Sequence, residues 1–411
     1  MDTPRVVIVG AGHASVQLCA SLRQHAWAGE ILLIGDEPSL PYQRPPLSKG
    51  YLAGKIGADE LLIRTPDFYD KQAITAVHAR VERLHPDEHW VELVGGADVT
   101  YDHLVLCTGA RARRLPILGS NLDGVHVLRQ ATDVGGIRAD LPTSKNVVVV
   151  GGGYVGLETA ASLRSLGHEV TVLEAGERVL NRVTAPEVSA FYERIHRRAG
   201  VIVRTGVEVV ALEGDGRVRA VRLADGETLP ADLVVAGIGV VPETELAEAA
   251  GIEVANGIRI DANGRTSHAD IYAAGDCANY EDPRTGDRLR LESVPSAVEQ
   301  AKVVAATICG KDKTITALPW FWSDQFDLKL QIAGLSDGYD DVVLRGDPSV
   351  DDDFVCFYLQ GGRLIAADCV NRPQEFMFSK RAIVEGITPP REVLADSAAP
   401  LAPLLAAGSR P

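Results

Sequence analysis

The chain has 411 residues, of which 46% are hydrophobic and 24% are charged, and its formal net charge is −15. This length accommodates about two to three domains, and the composition excludes a disordered chain. The acidic balance argues against a nucleic-acid partner, because such partners are bound through Lys and Arg, and the apolar runs are too short to cross a membrane.

The N-terminal residues Met1–Arg5 lead at once into a strand-like run and do not resemble a secretory signal, so a cytoplasmic location is expected. The six cysteines are too widely spaced for a redox pair or a clustered metal site, and no metal is predicted. We expect all of them to be reduced, buried thiols, at positions 19, 107, 277, 309, 356 and 369.

The first predicted unit is a strand, a glycine loop and a helix within Arg5–Leu22, where the sequence reads VVIVGAGHAS. Gly10 and Gly12 permit the tight turn that brings backbone amides at a helix N-terminus to a pyrophosphate. Ser15 stands where Gly or Ala is usual in this fingerprint. The loop therefore predicts a dinucleotide site, and the alternative is a glycine turn without a ligand.

A dinucleotide site of this type also needs an acid after the second strand, where it holds a ribose. The second strand is predicted at Glu30–Ile34, and Asp36 and Glu37 follow it. We choose Asp36 as the ribose ligand.

The same pattern returns at Asn146–Leu163, where the sequence reads VVVVGGGYVGLE and carries the complete set Gly151, Gly153 and Gly156. The chain therefore contains two Rossmann-like βαβ units. Two such units in one chain indicate one site for a flavin and one for the nicotinamide that reduces it.

Glu174 closes the strand Glu169–Leu173 of the second unit. An acid at this point accepts hydrogen bonds from the ribose hydroxyls of NADH and repels the extra phosphate of NADPH, so NADH is favoured. Arg178 lies four residues further on and could weaken that preference.

The remaining segments predict small β-meanders attached to the two units and, after about Ala317, an antiparallel α+β domain. The final stretch, 399–411, is rich in Ala and Pro and is predicted to be a flexible tail. The supporting features are the turns Asp215-Gly216 and Asp225-Gly226, the strands Phe354–Leu359 and Leu364–Val370 around Gly361-Gly362, and the helix Gln374–Glu385.

Five further motifs, taken together, resemble the ferredoxin reductases of bacterial monooxygenase and dioxygenase systems, of the putidaredoxin reductase type. The resemblance extends from Val6 to about Val393. The motifs are PYQRPPLSKGYL (Pro41–Leu52), LVLCTGA (Leu104–Ala110), TSHADIYAAGDCA (Thr266–Ala278), ESVPSAVEQA (Glu292–Ala301) and PWFWSDQ (Pro319–Gln325).

The resemblance implies an α/β fold with two Rossmann-like dinucleotide-binding domains of the glutathione-reductase type plus a C-terminal α+β domain. The FAD-binding domain would be discontinuous, over 1–112 and 237–318, and the NADH-binding domain would cover 113–236. The C-terminal domain would cover 319–398, with the tail at 399–411.

The same resemblance implies the two sets of cofactor ligands. The FAD set is Gly10, Gly12, His13, Ala14, Asp36, Glu37, Arg44, Pro45, Lys49, Val81, Thr108, Gly109, Arg129, Gly275, Asp276, Ser293, Val294 and Trp322. The NADH set is Gly151, Gly153, Tyr154, Val155, Gly156, Glu158, Glu174, Gly237 and Gly239.

Three residues are implied to lie near the reacting atoms: Lys49, Glu158 and Trp322. The lysine would approach flavin N5 and pair with the glutamate, so that a cation stabilises negative charge on the flavin. A structural salt bridge is the alternative for that pair, and a domain-core aromatic is the alternative for Trp322. Docking cations for the ferredoxin are expected at Arg64, Lys302, Lys380 and Arg381.

The activity implied by the resemblance is an NADH-dependent FAD reductase that passes electrons singly to a 2Fe-2S ferredoxin, which feeds a haem-thiolate monooxygenase. The reductase component of a ring-hydroxylating dioxygenase and a non-enzymatic flavoprotein of the apoptosis-inducing type are the alternatives. Flavin disulfide reductases, NADH oxidases and coenzyme A disulfide reductases need cysteine over the flavin, and Leu40–Leu52 contains none. Cys19 lies in the first helix and should face the core.

Overall fold

A computed structural model describes residues 3–407. The chain forms two compact units, of which the first comprises 3–43, 58–111 and 240–317 and the second 44–57, 112–239 and 318–407. The second unit thus contains both the region expected to bind NADH and the C-terminal region. It also contains 44–57, which the sequence analysis assigned to the FAD-binding domain.

The first unit is built on a five-stranded parallel sheet whose central strand is the apolar run Arg5–Val9. Val6 and Ile8 face the packed helices His13–Gln24 and Val294–Ile308, while Val7 and Val9 face a second apolar cluster. Burial on both faces explains the unbroken β-branched sequence. The strand order is Ile271–Ala273, His103–Leu106, Arg5–Val9, Glu30–Gly35 and Ile74–His78.

Smaller elements complete the first unit. Its other helices are Ala58–Leu61, Pro66–Lys71 and Glu245–Ala249. Its small sheets are formed by Val81–His85, Trp90–Leu93 and Asp98–Thr100, and by Ile258–Arg259, Ala278–Glu281 and Arg288–Leu289. The short strands Ala110–Ala112 and Val240–Pro242 lie where the chain passes from one unit to the other.

The second unit repeats the five-stranded parallel sheet around Asn146–Val150. Its strand order is Val125–Val127, Leu233–Ala236, Asn146–Val150, Glu169–Leu173 and Ile202–Arg204. The helices are Ala131–Asp140, Tyr154–Ser165 and Pro186–Arg198, with 3-10 turns at Pro45–Ser48 and Leu141–Thr143. The expected meander is formed by Val209–Asp215, Arg217–Leu223 and Thr228–Pro230.

The C-terminal part of the second unit is a five-stranded antiparallel sheet, in the order Trp320–Gln325, Leu328–Gly334, Arg363–Val370, Phe354–Gln360 and Asp341–Arg345. Because side chains alternate along a strand, Phe321, Ser323 and Gln325 share one face and Trp320 and Trp322 share the other. One face of this sheet packs on the helix Pro373–Glu385 through an apolar cluster.

The prediction of a flexible tail from residue 399 is wrong for the part that the structure describes. After the helix Arg391–Ala395 the chain forms another short helix, Ala402–Ala407. Leu401 and Leu405 are buried in the apolar cluster of the C-terminal part, which holds this stretch in place. Residues 408–411 of the expected tail lie outside the described residues. No helix within 3–407 is both long and apolar enough to cross a membrane.

Candidate functional site

The glycine loop of the first unit leaves a helix N-terminus open. Gly10 has φ +103°, and a Cβ on it would lie 2.1 Å from the Cys107 carbonyl oxygen. A Cβ on Gly12 would meet nothing within 4 Å, so the loop faces open space before the helix His13–Gln24. The first amides of a helix lack partners within it, and an anion is favoured there. This cradle fits the pyrophosphate of a dinucleotide.

Ser15 replaces the third glycine of the first loop by binding the loop backbone. Its hydroxyl donates to the Gly10 carbonyl at 2.5 Å and accepts from the Gly12 amide at 3.1 Å. The side chain is fully buried. The unusual residue in the fingerprint therefore stabilises the turn that the motif requires.

The two acids beyond the next strand differ in exposure, and the choice of Asp36 as the ribose ligand stays a prediction. Its side chain is exposed and accepts no hydrogen bond from residues 3–407. Glu37 is half-buried and accepts a hydrogen bond from the Tyr42 hydroxyl at 2.5 Å.

The other FAD ligands expected in the first unit lie at loops and helix starts. The Thr108 hydroxyl donates to the Glu243 carbonyl at 2.6 Å, and the Gly275 amide donates to Gln300 Oε1 at 2.7 Å. Ser293 caps the helix Val294–Ile308 by accepting from the Ser296 amide. The remaining members are half-buried His13, Gly109 and Asp276, and buried Ala14.

Val81 differs from the other expected FAD ligands because its side chain belongs to the apolar core of the first unit. It pairs with Leu93 in the small antiparallel sheet and is 4% exposed. Its contact with FAD stays a prediction.

The second glycine loop is closely packed at two of its three glycines. A Cβ on Gly151 would lie 2.4 Å from the Gly237 carbonyl oxygen, and one on Gly156 would lie 2.1 Å from the Gly151 carbonyl oxygen. Gly153 faces open space at the start of the helix Tyr154–Ser165. Val155, in the first turn of that helix, is 44% exposed. Gly237 and Gly239 follow the neighbouring strand Leu233–Ala236. An open helix N-terminus again fits a pyrophosphate.

Glu174 closes this loop from the strand end. Its Oε2 accepts from the Gly152 amide at 2.6 Å and its Oε1 accepts from the Gly176 amide at 2.7 Å. The carboxylate therefore has a structural role in the loop in addition to the ribose contact expected from the sequence.

The guanidinium of Arg178 is hydrogen-bonded to neighbouring residues of the same segment. It donates to the Thr184 carbonyl at 2.8 Å, the Ser189 hydroxyl at 2.6 Å and the Asn181 carbonyl at 3.0 Å. Releasing it toward a phosphate would break all three hydrogen bonds.

Lys49 and Glu158 form the ion pair that the family resemblance implies. Lys49 Nζ lies 2.6 Å from Glu158 Oε2 and donates to the Pro45 carbonyl at 3.0 Å. The lysine side chain is 20% exposed and the glutamate is 5% exposed.

Sequence reasoning missed two hydroxyls that also bind Glu158. Ser48 donates to Oε2 at 2.6 Å and Ser323 donates to Oε1 at 2.7 Å. The available signal was the alternation of the strand Trp320–Gln325, which turns Ser323 away from the face that carries Trp322.

The remaining predicted ligands of the second unit lie in three places. Arg44 donates to the Arg129 carbonyl at 2.8 Å, so these two residues are neighbours. Trp322 is half-buried, with its ring 5.7 Å from that of Trp320. Tyr154 stacks obliquely on Phe321 at 5.0 Å, and burial raises the pKa of its hydroxyl well above the usual value.

The four expected docking cations differ in their exposure and in their contacts with neighbouring side chains. Arg64 and Lys302 of the first unit are exposed. In the second unit, Lys380 Nζ lies 4.8 Å from the centre of the Trp320 ring, and Arg381 pairs with Glu385 at 2.6 Å.

None of the cysteines resembles a redox nucleophile. Five are buried, and Cys309 is half-buried. Burial raises the pKa of the Cys19 thiol to about 12, as expected for a residue that faces the core. A thiol that stays protonated is a poor nucleophile, so disulfide chemistry is not supported.

Comparison with known proteins agrees with this arrangement. Residues 4–301 match the family model described as pyridine nucleotide-disulphide oxidoreductase, and residues 320–405 match the model described as reductase C-terminal. Putidaredoxin reductase of Pseudomonas putida is 46% identical, over 98% of this chain and 97% of its own length. The reductase component of an anthranilate 1,2-dioxygenase system of Burkholderia cepacia is 38% identical, over 96% of this chain and 98% of its own length.

A solved structure is also similar over the full length. The crystal structure of the covalent putidaredoxin reductase–putidaredoxin complex matches with a TM-score of 0.96 and 45% identity, covering 100% of both chains.

Proposed function

The chain belongs to the pyridine nucleotide-disulphide oxidoreductase family, as a ferredoxin reductase of the putidaredoxin reductase type, and we propose that it transfers electrons from NADH to a two-iron ferredoxin. Members of this group use FAD and NAD(P)H. Bound FAD supplies the conversion between a two-electron donor and a one-electron acceptor. The protein's own residues bind and orient the two dinucleotides.

The observation that carries the proposal is the presence of two open glycine loops with different acids. The first, with exposed Asp36, suits FAD, and the second, with Glu174, suits the nicotinamide dinucleotide. NADH is preferred in this proposal because Glu174 repels a ribose phosphate. Arg178 adds no competing attraction, since its guanidinium is already bound by three acceptors.

Lys49 and Glu158 serve the same reaction in this proposal. A partly exposed ammonium held by a buried carboxylate is a fixed positive charge, which favours negative charge developing beside it. The alternative, a purely structural ion pair, predicts no effect of Lys49 on the flavin. Trp322 would lie at the cofactor, and Arg64, Lys302, Lys380 and Arg381 would meet the ferredoxin.

The ferredoxin is proposed to serve a haem-thiolate monooxygenase. The support is the higher identity to putidaredoxin reductase, 46%, than to the anthranilate dioxygenase component, 38%. The second identity is high enough to keep a ring-hydroxylating dioxygenase as the other candidate.

Rapid mixing of the NADH-reduced protein with two-iron ferredoxins tests this proposal. We expect two ferredoxins reduced per NADH, since each accepts one electron. A ferredoxin from a haem-thiolate monooxygenase system should react faster than one from a dioxygenase system, and the reverse order would favour the dioxygenase. Flavin bleaching without ferredoxin reduction would point to another acceptor or to a signalling flavoprotein of the apoptosis-inducing type.

A further inference from the structure

A row of buried polar side chains continues behind Glu158 in the second unit. Ser323 donates to Glu158 Oε1 at 2.7 Å, and Gln325 Nε2 donates to Ser323 Oγ at 3.2 Å. His196, from the helix Pro186–Arg198, has its Nε2 2.9 Å from Gln325 Oε1. All three side chains are at most 1% exposed. Buried polar groups are retained where their hydrogen bonds are made, so this row is an ordered feature.

The carboxylate sets the direction of every hydrogen bond in the row. An ionised carboxylate only accepts, so the single proton of the Ser323 hydroxyl points to Glu158. Gln325 must then donate its amide to Ser323, which leaves its carbonyl oxygen facing His196. His196 therefore carries its proton on Nε2. The four groups form a one-way chain with all donors directed toward Glu158.

The imidazole at the end of the row is neutral. Burial lowers the pKa of His196 to about 4, although the hydrogen bond to Gln325 acts in the opposite direction. Its Nδ1 is buried and has no hydrogen-bond partner within 3–407. A second proton on that nitrogen would have no acceptor, which makes the charged form costly.

Both oxygens of Glu158 are therefore fixed. Ser323 holds Oε1 from the C-terminal sheet, while Ser48 and Lys49 bind Oε2, each at 2.6 Å. Without the hydrogen bond from Ser323, the carboxylate could rotate and take the lysine ammonium with it.

We propose that Ser323, Gln325 and His196 are positioning residues, which fix the Glu158 carboxylate and, through it, the ammonium of Lys49. The functional part of this inference rests on the proposed role of Lys49 at the flavin. The row makes the C-terminal sheet part of the redox site through side chains on the strand face opposite Trp322.

Nitrogen NMR of His196 in the FAD-loaded protein tests the row itself, independently of the role of Lys49. We expect a neutral ring with its proton on Nε2 between about pH 6 and pH 8. A proton on Nδ1, or a charged ring near neutral pH, would overturn the chain direction. A His196→Asn variant identifies the signal.

The flavin midpoint potential tests the positioning role. Lys49→Met should lower the potential, because a cation that favours the reduced flavin is lost. Ser323→Ala should lower it in the same direction by a smaller amount, and should slow flavin reduction by NADH by about tenfold or less, the range of one hydrogen bond. Ser165→Ala is the matched control, since it removes a hydroxyl that donates only to the Ala161 carbonyl.

The double variant Lys49→Met/Ser323→Ala shows whether Ser323 acts through the lysine. It should have the potential of Lys49→Met alone, and additive shifts would contradict the inference. An unchanged potential in Ser323→Ala would also overturn it. If Lys49→Met itself leaves the flavin potential unchanged, the proposed role of Lys49 fails. The NMR result still tests whether the hydrogen bonds from His196 to Glu158 run in the inferred direction. If Ser323→Ala does not fold, the variant Gln325→Met takes its place in the comparison, because it removes the amide that donates to Ser323.

Discussion

The two glycine loops begin with the same backbone hydrogen bond, but different side chains bind the rest of each loop. Gly10 and Gly151 each donate an amide hydrogen bond of 2.8 Å to the neighbouring strand, at Ile34 and Leu173 respectively. The next residue of that strand is Gly35 in the first unit and Glu174 in the second. The acid of the first unit, Asp36, therefore stands one residue later than its counterpart.

A reciprocal change in the loop accounts for this shift. In the first unit the loop carries Ala11, and a Cβ on Gly35 would lie 2.5 Å from the Ala11 Cβ. In the second unit the loop carries Gly152, which leaves room for Glu174 beside it. If Asp36 and Glu174 are the ribose ligands, as proposed, the two units place them at different positions relative to the glycine loop.

The largest effect is expected when the residues at the third fingerprint position, Ser15 in the first loop and Gly156 in the second, are exchanged between the loops. Gly156→Ser should weaken NADH binding by roughly a hundredfold or more, because its Cβ would collide with the Gly151 carbonyl oxygen. The reverse change, Ser15→Gly, should leave FAD bound. Titration of both variants with NADH and measurement of flavin content check this pair. If both variants kept their dinucleotide equally well, the two loops would not differ in their requirement for glycine at this position.

Nucleotide preference should respond to Glu174. Glu174→Arg should lower the ratio of kcat/KM for NADH to that for NADPH by roughly tenfold or more, since the repulsion of the ribose phosphate becomes attraction. Because this carboxylate also binds two loop amides, Glu174→Gln is the control that changes charge with little change in shape. An unchanged ratio in Glu174→Arg would sink the assignment of this residue.

The effect of a larger side chain at position 35 should be reversed by a smaller one at position 11. Gly35→Ala should destabilise the FAD complex by about 1–3 kcal/mol through overpacking against Ala11. Adding Ala11→Gly should recover most of the loss, because it restores the arrangement of the second loop. FAD dissociation constants of both single variants and the double variant form the cycle. A double variant no better than Gly35→Ala would refute the reciprocal packing.

The smallest effect is expected for Ser15→Ala. It removes the hydrogen bonds to Gly10 and Gly12 and should cost about 1 kcal/mol of stability. Thermal unfolding of the FAD-free protein isolates this contribution from cofactor binding. If the loss of stability were several times larger, the hydroxyl would have a role beyond its two hydrogen bonds to the turn.

The local features of the fold were accessible from the sequence, because their causes are local. The collision that requires glycine at 156 involves the backbone of its own loop, and the apolar runs mark the central strands directly. The pairing of Lys49 with Glu158 came from the family resemblance.

Features created by tertiary packing were not accessible in this way. Ser323 reaches Glu158, and Gln325 and His196 continue the row behind it, only because the C-terminal sheet packs on the helices of the second glycine unit. Other tertiary contacts assign 44–57 to the second unit. The apolar cluster of the C-terminal part buries Leu401 and Leu405, against the expectation of a tail.

The most direct test of the division between the two loops is an anaerobic titration of the FAD-loaded protein with NADH. We expect one FAD per chain and loss of the oxidised flavin absorbance at one NADH per chain. A protein that retains FAD but is not bleached by NADH, or one that binds the same dinucleotide in both loops, would contradict the assignment of separate cofactors to the two units.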